Sequence, residues 1–566
     1  MRASSHFLGV HIGHDRGAAL VSDGRLVACV AEERLDRRKH SNSPDLPMLS
    51  IRALLRSRGL SPLELEGAAI SYTNVSIDRV IGQLRDELRD LLDVPHLPVL
   101  GAEHHLCHAL SAYFTSGVDD AIVVVADGAG DIVGSQIEAE SYFEAEGTDV
   151  TLLTRRLQDF GLTRTDRRNA FNPDYLHEVD RNKEISLGRK YEQFTYLIGF
   201  GHSQAGKTMG LAAYGEPLFR IPIQDGGTQF SMRFADGIDE LHALWAQSDE
   251  PWHRFVRNRA ARIAATAQAL LEDFIVEALR GVHETSPRTT LCAAGGVFLN
   301  CKLNHEILKR TPFRHLHVFP AAGDDGQAVG AAFYAYNQLA GPRLPSPLPN
   351  VFLGPSYQPE EIEERLAHFE LAAERLSDHD LAERLAEELS DGRFYGVLRG
   401  RSEIGPRALG HRSILADPRR CDARERLNRL KGREQFRPFA PMVCAEEQFR
   451  YFVLEQESRF MLLATEIQAA YRSSLPAVVH ADGTSRVQAV EREEDPFMHS
   501  VLRQFEHRSG FPILLNTSFN IAGDPIVESP HDAIATFLAS GLDGLVLENY
   551  LVSAQPSSRT QLRRAA

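Results

Sequence analysis

Several features are scarce in this chain of 566 residues. No apolar stretch approaches the length needed to cross a bilayer, so no part is expected to span a membrane. The opening MRASSHFLGVHIG lacks a long apolar run after its basic start and leads straight into a strand, which argues against a signal peptide and for a cytoplasmic protein. Cysteine is sparse: Cys29, Cys107, Cys292, Cys301, Cys421 and Cys444 are scattered without CxxC spacing, the pattern of reduced thiols rather than of a disulfide framework or a zinc knuckle. Positive charge is also in deficit. The net charge of -15 argues against nucleic acid as a partner, which needs a basic field. Low-complexity sequence is absent apart from the polar tail QPSSRTQLRRAA, expected to fray.

What is present is the composition of a globular protein, 43% hydrophobic and 25% charged, at a length that calls for two domains. Six prolines between residues 339 and 361 forbid a continuous helix, and the break is expected there, giving domains 1–345 and 346–566. Before it, FLGVHIGHDRGAALVSDGRLVACVAEERL reads as three strands joined by turns at Gly13 to Asp15 and at Asp23-Gly24. AIVVVADGAGDIVGSQIEAESYFEAEG repeats that plan. TTLCAAGGVFLN and RHLHVFPAAGDDGQAVGAAFYAY each read as strand, glycine turn and helix, with backbone amides at the helix start where a phosphate can sit. QAGKTMGLAAYGEP sets Lys207 in a glycine-flanked loop. Beyond the prolines, PEEIEERLAHFE and DHDLAERLAEEL have helical spacing, while FYGVLRG, FPILLNTSF and DGLVLENY read as strands. The fold class is α/β in both parts, the first duplicated as in the actin, chaperone and sugar-kinase fold.

GAEHHLCHALSAYF, residues 101 to 114, sets three histidines inside five positions and continues as an amphipathic helix. Side chains four apart share a helix face, so His104 and His108 point one way and His105 another. A zinc peptidase needs glutamate directly after the first histidine, and His105 stands there instead. Two imidazoles alone leave two readings open, a half-built metal site or histidines packed in a helix. Asp127, ending VVVAD, and Asp324, ending HVFPAAGD, would complete a mixed nitrogen and oxygen set suited to iron(II), manganese or zinc. Spacing alone does not bring the four together.

Between Arg399 and Arg437 twelve basic residues face five acidic ones, in a chain that is otherwise acidic. Arg419, Arg420, Arg424, Arg426 and Arg429 are helix-spaced and read as a solvated face. Arg407 and Arg412 in IGPRALGHRS, and Arg437 in FRPF, are embedded among Gly, Pro and apolar residues and are the better candidates to clamp a small phosphate. The cluster lacks interleaved stacking aromatics, so nucleic acid is the weaker reading.

HHLCHALSAYF, VADGAGD, GKTMGLAAYG, AAGGVFLN, AAGDDG, IGPRALGHRSILADP, REQFRPFAP and LNTSFN resemble, in that order and nearly end to end, the antibiotic and nodulation-factor O-carbamoyltransferase family. The resemblance implies an N-terminal domain similar to the tRNA threonylcarbamoyl transferase subunit, with His104, His108, Asp127 and Asp324 holding a divalent metal against ATP phosphates. Fe(II) is the first expectation, with Mn(II), Mg(II) or Zn(II) as alternatives. It also implies nucleotide contacts from Lys39, Lys207 and Asn300, and backbone approach at Gly128, Gly130, Gly295, Gly296 and Gly326. Lys39 lies in EERLDRRKH with Glu33 and Arg34, whose charges either meet the adenylate or decorate a surface turn. The C-terminal domain is likened to threonylcarbamoyl-adenylate synthase, with carbamoyl phosphate assigned to Arg407, Lys431, Arg437, Arg486, Asn516 and Ser518. From the residues alone, Lys431 reads equally as a surface lysine and Asn516 as a turn cap.

The implied reaction takes carbamoyl phosphate and ATP to carbamoyl adenylate and passes the carbamoyl group to a hydroxylated small molecule. His14, followed by Asp15 where the family carries HD, is the candidate to remove or share the acceptor proton, because imidazole titrates near neutral pH. The alternative is that it caps its turn. A homodimer rests on the resemblance alone. Three rival functions are a sugar-kinase-type phosphotransferase, a tRNA-modifying enzyme and a non-catalytic nucleotide switch. The acceptor pocket is assigned to residues 157 to 196, which carry least of the family pattern.

Overall fold

The computed structural model describes residues 4–73, 75–159, 185–221 and 235–553. Residues 160–184 of the segment assigned to the acceptor, and the polar tail, lie outside the described residues.

Strands β1 (His6–Ile12), β2 (Gly17–Ser22) and β3 (Arg25–Ala31) form an antiparallel meander, and β4 (Leu65–Tyr72) and β5 (Val99–Gly101) extend it in parallel on the other side of β1. The sheet order is β3-β2-β1-β4-β5. β1 is central and buried on both faces from Phe7 to Ile12, which is why its apolar residues run together, with His11 the one polar side chain among them, rather than alternating. Asp23 and Gly24, both with positive φ, make the tight turn between β2 and β3.

The same plan recurs. β6 (Asp120–Ala126) pairs antiparallel with β8 (Gln136–Glu146), which pairs with β9 (Asp149–Asp159), while β10 (Thr290–Ala294) and β11 (His315–Val318) continue in parallel beyond β6. A two-residue strand, β7 (Ile132–Val133), is the one addition, on the edge of β8. Two helices join the repeats: His104–Phe114, leading from the first sheet to the second, and Gln327–Leu339, returning onto β1. They cross closely, because a Cβ on Gly330 would stand 1.8 Å from the Cys107 carbonyl oxygen.

The C-terminal half is built on a mixed sheet of eight strands, which include β12 (Glu374–Arg375), β18 (Gln488–Val490), β20 (Gly544–Leu547) and β21 (Tyr550–Ser553), in the order β12-β21-β20-β13-β14-β19-β15-β18. Its central members are β13 (Tyr395–Leu398), β14 (Arg412–Ala416), β19 (Ile513–Ser518) and β15 (Ala440–Cys444), and a small hairpin of β16 (Ala464–Glu466) and β17 (Thr484–Arg486) stands beside it. The proline-rich stretch forms no helix but is not loose. Leu348, Val351 and Leu353 are buried in one apolar cluster with Val123 and Cys292 of the first half and Ile404, Leu409 and Ala440 of the second. The Cys29 amide donates to the Leu353 carbonyl, and the Ile404 amide to that of Val351.

One local expectation is corrected: Lys207 lies on a helix, Ala205–Ala212, rather than in a loop. Its two glycines are compatible with a helix that packs against Ala260–Thr285. Among the described residues no helix is long and apolar enough to cross a membrane, and no cysteine is paired with another.

Replacing Gly330 with Val should destabilise the protein by about 1–3 kcal/mol or more, read as a lowered midpoint in chemical denaturation, because the helix carrying the histidines would have to move off its neighbour.

Candidate active site

His104 and His108 lie on the first turns of a helix whose residues are nearly all buried, and their Nε2 atoms face the same point. Asp127 follows directly on β6, and Asp324 opens a short 3-10 turn after β11, so both carboxylates come from strand ends of one sheet. His108 Nε2 is 3.2 Å from Asp127 Oδ2 and 3.5 Å from Asp324 Oδ1, while His104 Nε2 is 3.5 Å and 3.4 Å from the same atoms. One ligand atom from each of the four lies within 4.8 Å of all the others. Burial disfavours charged imidazole, but the two carboxylates outweigh it and hold His104 well above its ordinary pKa. Two buried carboxylates this close demand positive charge, and the set of two nitrogens and two oxygens is one a divalent cation fits. Nδ1 of each ring is buried without a hydrogen-bond partner among the described residues.

Residues that sequence reading missed hold these ligands. Thr73 Oγ1 donates to Asp324 Oδ2 at 3.0 Å, and His11, buried on β1, lies 3.9 Å from the same oxygen. Asp131 accepts from the His104 amide at 2.7 Å, and Gln327 donates to the His104 carbonyl at 3.0 Å. His105 points away from the four, to Ser141 Oγ at 2.7 Å, as its helix position requires. Of the glycines, Gly296 and Gly128 adjoin Asp127, while at Gly130, Gly295 and Gly326 the place of a Cβ is filled by protein atoms within 2.8 Å, so close packing admits only glycine there. Asn300 is held in place by protein: its amide donates one proton to Gln268 and its oxygen caps the helix Cys301–Arg310, which leaves one amide proton for a further partner.

His14 and Asp15 stand in the turn after β1. His14 Nδ1 is 3.0 Å from Asp15 Oδ2, and His40 Nδ1 is 2.9 Å from Asp15 Oδ1. Burial works against a charged His14, but the Asp15 hydrogen bond and charge, with Asp324 and Asp127 beyond, raise its pKa to about 9. These carboxylates favour the charged ring, so the residue expected to titrate near neutrality is shifted toward its protonated, donating form.

The second half supplies the basic wall. Arg407 donates to the Leu299 carbonyl at 3.0 Å, one residue before Asn300, and so lies beside the first half's glycine turn. Burial, then Arg486 and Arg437, push its pKa down to about 9, and Arg433 is pushed down to about 9 by burial, Arg437 and Arg486. Lys431, expected as a ligand or a surface residue, is buried with Nζ on the backbone oxygens of Ser518 and Asn520 and on Asn520 Oδ1, and it feels Arg433, Arg437 and Lys39. Ser518 Oγ donates to Asn520 Oδ1 at 2.7 Å. Asn516 donates to the Ala408 carbonyl and to Gln488, and its Oδ1 is buried without a partner. Nε of Arg407, Arg433 and Arg486 are likewise buried and unpartnered among the described residues. Arg433, in KGREQF, belongs to this cluster and escaped the sequence reading, although it lay within the basic stretch singled out there.

Arg412 is the clear correction. It is fully buried and spends its donors on the carbonyls of Glu528, Arg399, Gly400, His411 and Pro355 and on the Glu528 carboxylate, so none is left for a phosphate. Lys207 donates to Glu434 Oε1 at 2.5 Å and so reaches across to the basic wall. Arg34 donates to the Gly405 carbonyl and Arg37 to those of Pro525 and Ile526, so both tie the first half to the second. Glu33 accepts from the His40 amide at 2.7 Å.

A family model described as Carbamoyltransferase N-terminus matches residues 6–84 and 71–333, and one described as Carbamoyltransferase C-terminus matches residues 386–554. The chain is similar to nodulation protein NolNO of Sinorhizobium fredii, 34% identical over 98% of this chain and 81% of that one. It is also similar to a 3'-hydroxymethylcephem-O-carbamoyltransferase of Streptomyces clavuligerus, 31% identical over 59% of this chain and 61% of that one. Among solved structures, T. kodakarensis HypF is similar at a TM-score of 0.44 and 14% identity, over 60% of this chain and 48% of that one.

Two measurements test the assignments of charge. Asp15→Asn should bring the His14 titration, followed by ring NMR, from about 9 down to its ordinary value or below, since burial then acts unopposed by its partner. Arg412→Leu should cost about 3–5 kcal/mol in chemical denaturation by leaving Glu528 buried and unpaired.

Proposed function

This chain belongs to the carbamoyltransferase family, and from that premise we propose that it is an ATP-dependent O-carbamoyltransferase that makes carbamoyl adenylate and transfers the carbamoyl group to a hydroxyl of a small natural product. It is an enzyme of the transferase class, and the name of the Streptomyces relative describes such a transfer for that protein. We divide it at the proline-rich stretch into an ATP-binding half, residues 1–345, of sugar-kinase type, and a carbamoyl-phosphate-binding half, residues 346–566.

The observation that carries the reading is the basic wall. Three half-buried arginines whose Nε atoms are buried and unpartnered among the described residues gather at one place, which favours an anion between them, and Arg407 brings them against the turn next to the imidazoles and carboxylates. Arg407, Arg433, Arg437 and Arg486 present paired donors to the phosphate of carbamoyl phosphate. The unpartnered Asn516 Oδ1 accepts from the carbamoyl NH2 group, and Lys431 braces the Ser518 and Asn520 backbone that walls the pocket.

Atom balance sets the order of events. Water displaces phosphate from carbamoyl phosphate and leaves carbamate; a carbamate oxygen attacks the α-phosphorus of ATP and pyrophosphate departs. The acceptor hydroxyl then attacks the carbonyl carbon and AMP departs. His104, His108, Asp127 and Asp324 would hold a divalent cation, Fe(II) or Mn(II) by its donor set, whose charge offsets that of the nucleotide phosphates. Lys207, bound to Glu434, and Lys39, within electrostatic reach of Arg433 and Arg437, line the passage between the halves.

Pyrophosphate release that requires both ATP and carbamoyl phosphate is the expected activity. His108→Ala should lower it about tenfold or more together with bound metal, and Arg486→Met should raise the KM for carbamoyl phosphate by about tenfold while leaving that for ATP in place. Nucleotide turnover indifferent to carbamoyl phosphate would overturn the proposal in favour of a phosphotransferase.

A further inference from the structure

The turn after β1 and the segment 36–43 are built against each other, and what they bring together is a pair of imidazoles on one carboxylate. The Gly13 amide donates to the Ser43 carbonyl, Arg16 Nε donates to Ser41 Oγ, and Ser41 Oγ donates to Asp36 Oδ2. The His40 amide is held by Glu33 at 2.7 Å. Asp15 and His40 both have positive φ, 53° and 54°, a backbone region that residues with a Cβ seldom enter, and each is held there so that the side chains meet. The His14 and His40 rings lie side by side, centroids 5.4 Å apart and planes 14° from parallel.

The surroundings of the second ring nitrogen separate the two rings. Asp15 is held as a carboxylate, and a carboxylate only accepts, so the Nδ1 of each ring carries a proton and donates to it. His14 Nε2 is buried without a partner among the described residues, and the carboxylates around that ring favour its protonated form. With Nδ1 on Asp15, His40 has Nε2 as the nitrogen left to take a proton, and its side chain is 38% exposed against 33% for His14. The sequence reading offered His14 to remove or share the acceptor proton; its second nitrogen is the enclosed one.

We propose that His40 is the general base for the acceptor hydroxyl, oriented by Asp15, and that His14 is the neighbouring donor; this rests on the carbamoyl-transfer reading above. In the transfer step the hydroxyl oxygen forms its bond to the carbamoyl carbon, the bond from that carbon to the phosphate oxygen breaks, and AMP leaves with the electron pair. The hydroxyl proton passes to His40 Nε2 and from there to solvent. The His14 Nε2 proton is placed to hydrogen-bond an oxygen of the reacting group, and Asp15 keeps His40 in the tautomer, and His14 in the charged form, that these tasks need.

Single turnover of the enzyme-bound adenylate, formed from carbamoyl phosphate and ATP with enzyme in excess, separates the roles. Two nucleophiles serve as probes: water, which needs a base, and hydroxylamine, which attacks without one. His40→Gln should slow breakdown by water about a hundredfold and leave hydroxyurea formation within about threefold of the unaltered protein. Slowing of both reactions alike, or of neither, overturns the assignment. Independently of any variant, nitrogen NMR of the unaltered protein should find the neutral His40 ring protonated on Nδ1 with Nε2 bare, and a proton on Nε2 overturns it too. Absence of any adenylate in the unaltered protein would sink the carbamoyl-transfer reading itself, an outcome distinct from these.

Discussion

Asp127 and Asp324 come to within reach of the same two imidazoles in the interior, and the repulsion between these carboxylates is the constraint the surrounding structure answers. The helix His104–Phe114 brings two nitrogens to them from the link between the two repeats, and Thr73 and His11, from the first sheet, fix the outer oxygen of Asp324. The next carboxyl, Asp325, is raised to about 7 by burial and by Asp15, Glu33 and Asp324, which marks how acidic this side of the cleft is. The opposite wall is its complement. Arginines and lysines crowd there in such number that they depress one another, with Glu434 shared between Lys207 and Arg437. An acidic side facing a basic one is the arrangement that the proposed metal-bound nucleotide and small phosphoanion would require.

How much of this was legible depends on whether a residue's task is set by its neighbours in sequence or in space. The i, i+4 spacing of His104 and His108 fixes their common face whatever surrounds them, so that pair could be read directly, and His105 was rightly separated from it. The duplicated strand plan was visible because apolar runs and glycine turns recur. Arg407 and Arg412 show the limit. They lie five positions apart in one motif and offer the same chemistry, yet one reaches the cleft while the other is consumed by buried carbonyls, and nothing local distinguishes them. Asn300 caps a helix, and because cap residues and ligand residues are drawn from the same few polar types, its neighbours in sequence do not tell the two tasks apart. Lys207 looked like a loop residue because its glycines weaken a helix in isolation, and packing on a longer helix overrides that preference.

His40 escaped notice for a further reason. It belongs to a segment whose shape is set by hydrogen bonds to the turn after β1, and its partner, Asp15, lies twenty-five residues earlier. Only the folded chain reveals that one carboxylate serves both rings. The same holds for Arg433, whose companions Arg407 and Arg486 come from separate stretches of the second half.

The proline-rich stretch between the halves is walled into apolar packing shared by both, and Arg34 and Arg37 grip main-chain oxygens across the same seam. Neither half would therefore keep its surface if produced alone: severing the gene there would bare a greasy strip and strand two guanidinium groups. Exchange of a whole half between relatives meets the same obstacle, since the incoming piece must match the seam as well as the chemistry. The two halves are thus bound to drift together over generations, even where only one of them meets a new alcohol.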